Sequence, residues 1–204
     1  MLIPAVLSNL LSACAPSVGT VTMTALVAYE SGARPYAIGD NTARTSYLPG
    51  SISEAERLAQ RLIDAGHNID VGYAQLNVAN FAAYGLSLHD ALVPCTNVGV
   101  AARILGRSYR GAVRLYGPGQ IALQHALSAY NTGRYWAGLE YAQGVYATAA
   151  SLRWQDPRPA ASSARRARAQ ATSSACSAGR RTGIRPTRPR LAPTQAGLSS
   201  MRAT

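Results

Sequence analysis

The sequence predicts a mainly α-helical domain with a cleft and minor β content over residues 1–154, followed by a disordered tail over 155–204. Three observations predict it. Apolar residues recur at spacings of three and four in most segments before residue 154. Helix-stopping glycines follow several of those segments, at Gly32, Gly66 and Gly85. The composition then changes: residues 155–204 hold only four large aliphatic side chains, Ile184, Leu191, Leu198 and Met201, among Ala, Arg, Ser and Pro. That is too little apolar surface to offset backbone ordering, which costs about 1–2 kcal/mol per residue.

The elements follow in order. Leu2, Val6, Leu10 and Ala13 suggest a first amphipathic helix. The same stretch is apolar enough for an export signal but lacks the positive start of one, and Leu11-Ser12-Ala13-Cys14 resembles a lipoprotein processing site. Residues 20–30 read as a helix with Thr20 as N-cap, ending at Gly32. A loop follows over 33–50, with a short hairpin around Gly39-Asp40-Asn41. Ser53 and Glu56 fit a capping box for a helix through Ile63. Residues 67–77 read as a turn and a short extended piece, and 78–84 as a short helix. Further helices are expected over 95–110, about 120–130 and about 135–152. The last carries Tyr141, Val145, Thr148 and Leu152 on one face.

The net charge of +11 is a property of the tail. Residues 1–154 hold ten Arg against eight Asp and Glu, whereas 155–204 hold ten Arg against Asp156 alone. No aromatic residue follows Trp154, so the tail offers no base-stacking platform and no specific nucleic-acid partner is expected. No apolar run approaches the ~18–20 residues of a transmembrane helix. Cys14, Cys95 and Cys176 form no C-x-x-C pair and have no His at ligand spacing, so no metal is expected. On spacing alone, Cys14 and Cys95 fit one disulfide or two buried thiols equally well.

Three motifs stand out: Glu30-Ser31-Gly32, Gly72-Tyr73-Ala74-Gln75-Leu76-Asn77, and Ala129-Tyr130-Asn131-Thr132-Gly133. Each alone is weak, since a Glu at a helix end is usually a solvated residue. In this order they resemble the soluble lytic transglycosylase domain of the lysozyme-like superfamily. CAPSV at 14–18, ESGARPYAIGDN, NIDVGYAQLN, YGLSLHDAL, PCTNVGVAARIL and SAYNTG narrow the resemblance to the transglycosylases of type IV secretion and conjugation systems. It covers residue 14 to about 150.

The resemblance implies a lysozyme-like helical fold and cleavage of peptidoglycan without water. Glu30 would be the one catalytic residue, first acid and then base. It protonates the bond between N-acetylmuramic acid and N-acetylglucosamine, and then deprotonates the muramic C6 hydroxyl to give a 1,6-anhydro sugar. Ser31, Gln75, Asn77, Tyr130 and Asn131 would bind the glycan, with Tyr130 able to bond either Glu30 or the sugar, and Ser31 either the acetamido group or the helix end. Gly72 and Gly133 would permit tight turns. Cys14 and Cys95 would both belong to the folded domain, which favours their disulfide over the lipoprotein reading. No cofactor is implied. The implied partners are peptidoglycan and components of the secretion apparatus, in the periplasm or cell envelope, although no export signal is evident.

The residues agree with this on physical grounds. An acid that protonates a glycosidic oxygen needs a pKa raised towards neutrality, which burial provides. Glu30 follows the apolar run Ala25-Leu26-Val27-Ala28-Tyr29. Asp40 and Asp70 are the candidates for the second carboxylate of a lysozyme-type hydrolase, and both sit in turn-like contexts. A glycan-binding scaffold without catalysis is the remaining alternative, but it needs no acid. His67, His89 and His125 fall outside all three motifs and read as structural or solvated rather than catalytic.

Overall fold

The computed structural model describes residues 2–3 and 5–154. The tail predicted over 155–204, with Cys176, lies outside the described residues, as does the side chain of Leu2. The chain runs β1 (Leu2–Ile3), α1 (Ala5–Cys14), α2 (Thr20–Ser31), β2 (Ile38–Asp40), β3 (Thr45–Tyr47), α3 (Ile52–Asp64), β4 (Ile69–Val71) and β5 (Leu76–Asn77). A 3-10 turn (Val78–Asn80) leads into α4 (Phe81–Tyr84), α5 (Leu88–Leu92), α6 (Pro94–Tyr116), α7 (Gln120–Thr132), α8 (Leu139–Ser151) and β6 (Arg153–Trp154). The expected mainly helical fold with minor strand content is what the chain adopts.

Helix α2 is the centre of the helical part. Met23, Thr24, Ala25, Leu26 and Val27 are all buried in succession. More than a full turn therefore has no solvent face, as for a helix packed on every side. It packs against α1 and α8, while α6 and α7 pack on each other. Its N-cap is Gly19 rather than the expected Thr20, which lies inside the helix. Gly32 ends it in the left-handed conformation.

Helix α1 exists, but its buried face is Leu7 and Leu11. Of the expected face, Val6 is 80% exposed and Ala13 is also exposed. Ser8, Asn9 and Ser12 form its polar side, but the Val6–Leu10–Ala13 face and the Leu7–Leu11 face both flank that side and are equally apolar, so packing decides. Cys14 at its end is joined to Cys95 by a disulfide, with Cα atoms 5.2 Å apart. Cys95 lies in the first turn of α6, which starts with Pro94 and runs to Tyr116, beyond the expected 110.

The four-stranded sheet has the order β3-β2-β4-β5, antiparallel throughout. β2 and β3 form the expected hairpin, with Asp40 closing its turn: the carboxylate accepts from Thr42 N and Ala43 N, both at 3.0 Å. The α3 cap lies two residues before the expected one. Ser51 accepts from Glu54 N, and Glu54 in turn accepts from Gly50 N. The sequence SISEAE offers the S-x-x-E spacing twice, and the earlier frame places Ile52 against the core. Glu56 instead meets His89. Helix α5, with a capping box of Ser87 and Asp90, is an element the periodicity does not reveal. Five residues are too few to show a period.

Candidate active site

Glu30 stands in the last turn of α2, one side chain from the glycine that stops the helix. It faces a cleft of about 580 Å³ lined by Asn41, Asn68, Asp70, Gln75, Asn77 and Asn80 on one side and by Ile104, Tyr130 and Asn131 on the other. A smaller recess of about 250 Å³, lined by Arg34, Ser46 and Leu48 among others, shares Glu30 and Gln75 with it. Glu30 therefore borders both spaces.

The carboxyl of Glu30 accepts a hydrogen bond from the Tyr141 hydroxyl of α8. Burial pushes its pKa up from 4.5 to about 7; the Tyr141 bond pulls downward, and the charge of Asp70 adds a smaller upward push. Its place at a helix C-terminus, the negative end of the macrodipole, acts in the same direction as burial. Burial and the nearby Glu30 carboxylate also drive the Tyr141 and Tyr130 phenols far above their ordinary values, so both stay protonated donors. The Tyr29 ring meets Tyr141 edge-on, with centroids 5.2 Å apart and planes at 86°. Tyr29 in turn lies over Gly144, where a Cβ would come within 2.5 Å of the ring.

Tyr141 is the partner of the Glu30 carboxyl that sequence reasoning missed. It sits in a helical stripe with Val145, Thr148 and Leu152, where an aromatic residue reads as core. The available signal was its hydroxyl, which a buried tyrosine must satisfy. The expectation that Tyr130 can bond Glu30 is corrected accordingly: its hydroxyl donates to Ala74 O at 2.8 Å, tying α7 to the second motif.

That second motif is a rigid loop. Gly72 has φ of +82°, and a Cβ there would lie 2.3 Å from Asn97 Nδ2. Asn97, fully buried at the start of α6, donates to Val71 O and Ala91 O and accepts from Ala74 N. Gln75 adopts φ of +47°, an uncommon conformation for a side-chain-bearing residue. Its Nε2 donates to Ala37 O and Gly72 O, which hold that conformation. Asn77 Nδ2 donates to Asn68 Oδ1 at 2.7 Å and Asp70 Oδ1 at 2.8 Å. Tyr73 packs inward against the core rather than facing the cleft.

The remaining expectations divide. Asn131 is exposed at the cleft lip, and Gly133 is the left-handed cap of α7. Ser31 is turned inward, bonded to Val27 O and Tyr73 O, and accepts from Arg34 N. Of its two expected roles, the structure gives it the one at the helix end. Asp70 is not a turn residue: it lies in β4 and lines the cleft, accepting from Asn41 Nδ2 at 2.7 Å as well as from Asn77. His67, His89 and His125 bond Asp40, Glu56 and Tyr135 O, away from the cleft lining. Among the described residues, no His, Cys, Asp or Glu cluster has the geometry to hold a metal ion.

A family model described as Transglycosylase SLT domain matches residues 11–141. The chain belongs to this family. The matched span of the SLT domain takes in all three motifs and ends on Tyr141. The protein virB1 of Agrobacterium fabrum (strain C58) is 37% identical over 131 residues, 64% of this chain and 53% of that protein. The type IV secretion system protein virB1 of Brucella abortus biovar 1 is 40% identical over 144 residues, 67% of this chain and 60% of that protein. The SLT chain thus spans between half and two-thirds of the length of these curated relatives. No solved structure matches it.

Proposed function

We propose that the protein is a lytic transglycosylase that cleaves the N-acetylmuramic acid–N-acetylglucosamine bond of peptidoglycan to give a 1,6-anhydro product. The observation that carries this reading is the buried carboxyl of Glu30 at the cleft, bonded by the Tyr141 phenol, with burial raising its pKa to about 7. At that pKa it is protonated often enough to donate and ionised often enough to accept, as one residue serving twice requires. A glycan laid along the cleft passes Glu30. As the bond breaks, the acid protonates the leaving oxygen. The resulting carboxylate then takes the proton of the muramic C6 hydroxyl as that oxygen closes on C1. The Tyr141 hydroxyl steadies the carboxylate between the two steps. Gln75, Asn77 and Asn131 present amide groups to acetamido and hydroxyl substituents. Tyr130 and Ser31 act by holding the motif loop.

Residues 1–154 form the catalytic domain in this reading, and the matched span 11–141 lies within them. The setting is the periplasm or cell envelope, where local opening of the wall lets a type IV secretion or conjugation apparatus cross. The Brucella relative, a type IV secretion system protein, supports that setting. A second reading, a lysozyme-type hydrolase, is favoured by Asp70 in the same cleft, although its carboxylate is already engaged by two amides. Mass spectrometry of fragments released from purified wall decides. The anhydro product weighs one water less than the hydrolytic one, and Glu30→Gln should release neither. Hydrated products alone would overturn the transglycosylase reading.

A further inference from the structure

Arg103, Arg107, Arg110 and Arg114 follow one another on α6 at spacings of four, three and four. On a helix of 3.6 residues per turn they fall in one stripe about 16 Å long. All four are exposed, and the 23-residue helix contains no Asp or Glu. Among the described residues, the carboxylate ion pairs involve His67 and His89, and none of the four arginines has one. Like charges one turn apart disfavour a helix, and a face serving only solubility mixes both signs. Arg103 is held over the Tyr84 ring, 5.5 Å from its centroid. Its neighbour Ile104 lines the cleft, so the stripe starts at the cleft rim.

The cleft lining itself contains two carboxylates and several amides but no cation. A bare glycan suits it. Peptidoglycan, however, carries on each muramic lactyl group a short peptide with free carboxylates, and these hang outside a groove that holds the sugars. We propose that the α6 arginine stripe binds those peptide carboxylates, holding the wall beside the cleft; this rests on the peptidoglycan reading above. Guanidinium groups pair with carboxylates through two parallel hydrogen bonds. The stripe would make affinity depend on salt and on the peptides, separately from the chemistry at Glu30.

The test is co-sedimentation of the full chain with intact, purified wall across a salt series, in a Glu30→Gln background so that the wall is not consumed. Arg107→Gln with Arg110→Gln should weaken binding about fivefold at low salt and flatten its salt dependence. Arg57→Gln with Arg61→Gln, an equal loss of exposed charge on α3, should not. On glycan strands stripped of their peptides by an amidase, the α6 variant and its parent should bind alike. Unchanged binding to intact wall overturns the proposal, as does an equal loss in the α3 variant or a difference that persists on stripped strands. An α6 variant that keeps wall binding but loses binding to vesicles of anionic phospholipid also overturns it, assigning the stripe to a lipid surface. Failure of the catalytic reading shows elsewhere, as absence of anhydro products from the wild-type protein.

Discussion

The helical wall of the cleft and its sheet wall treat the same chemical group in opposite ways. On the helical side, Glu30 projects from the most buried helix and meets one phenol, and its acidity is suppressed by the loss of water. On the sheet side, Asp70 lies among Asn41, Asn68, Gln75 and Asn77 and accepts from two of those amides. One wall withholds solvent to keep a proton in place. The other supplies fixed amide dipoles in place of solvent, which suits recognition of acetamido groups. Division of labour here comes from surroundings and not from residue type.

The largest expected effect breaks the helical wall at its centre. Glu30→Gln should lower turnover of wall by about 10²–10⁴-fold, the usual worth of a general acid. It should also raise stability at alkaline pH. The folded-state pKa of Glu30 lies above its ordinary 4.5, so its favourable contribution is complete below 4.5 and lost as pH rises through about 7. Above pH 7 the glutamine variant should therefore be the more stable, by about 3 kcal/mol, in urea denaturation. Equal stability at pH 8.5 would mean that the carboxyl is not desolvated.

Gly72→Ala attacks the sheet wall. The added methyl would meet Asn97 Nδ2 at a strained positive φ, disrupting three buried hydrogen bonds. A loss of about 3 kcal/mol of folding stability is expected. The alkaline limb of residual activity should stay in place, because Glu30 is untouched.

Two smaller changes sharpen the contrast by moving that limb in opposite directions. Tyr141→Phe removes a bond that favours the carboxylate, so the limb should shift to higher pH, with a rate loss of about tenfold. Asp70→Asn removes a charge that disfavours it, so the limb should shift slightly to lower pH. If both shifts had the same sign, the electrostatic account of the cleft would be wrong.

The features visible in the sequence were those fixed locally. Gly32, Gly85 and the apolar run before Glu30 announce α2, α4 and the acid, because helix stops and burial patterns act over a few residues. The hidden ones depend on distant partners. Nothing in residues 5–14 says that Leu7 and Leu11 face inward, since the alternatives are equally apolar. Tyr141 looks like core until α8 is laid across the end of α2. Ser31 and Tyr130, both expected at the glycan, spend their hydroxyls on Tyr73 O and Ala74 O, bonds that no motif spacing reveals.

The bridge between Cys14 and Cys95 closes a loop of 81 residues that encloses the acid and the whole amide wall, and leaves α7 and α8 outside. In the chain-entropy picture, such a closure removes about 4.5 kcal/mol of freedom from the unfolded chain. A reduced chain is therefore less stable against unfolding than an oxidised one. The thermal midpoint should fall on adding dithiothreitol, and it should fall equally in the paired Cys14→Ser and Cys95→Ser variant without any reductant. The span that holds the acid and the amide wall thus depends for its folding stability on one covalent bond made at its two ends.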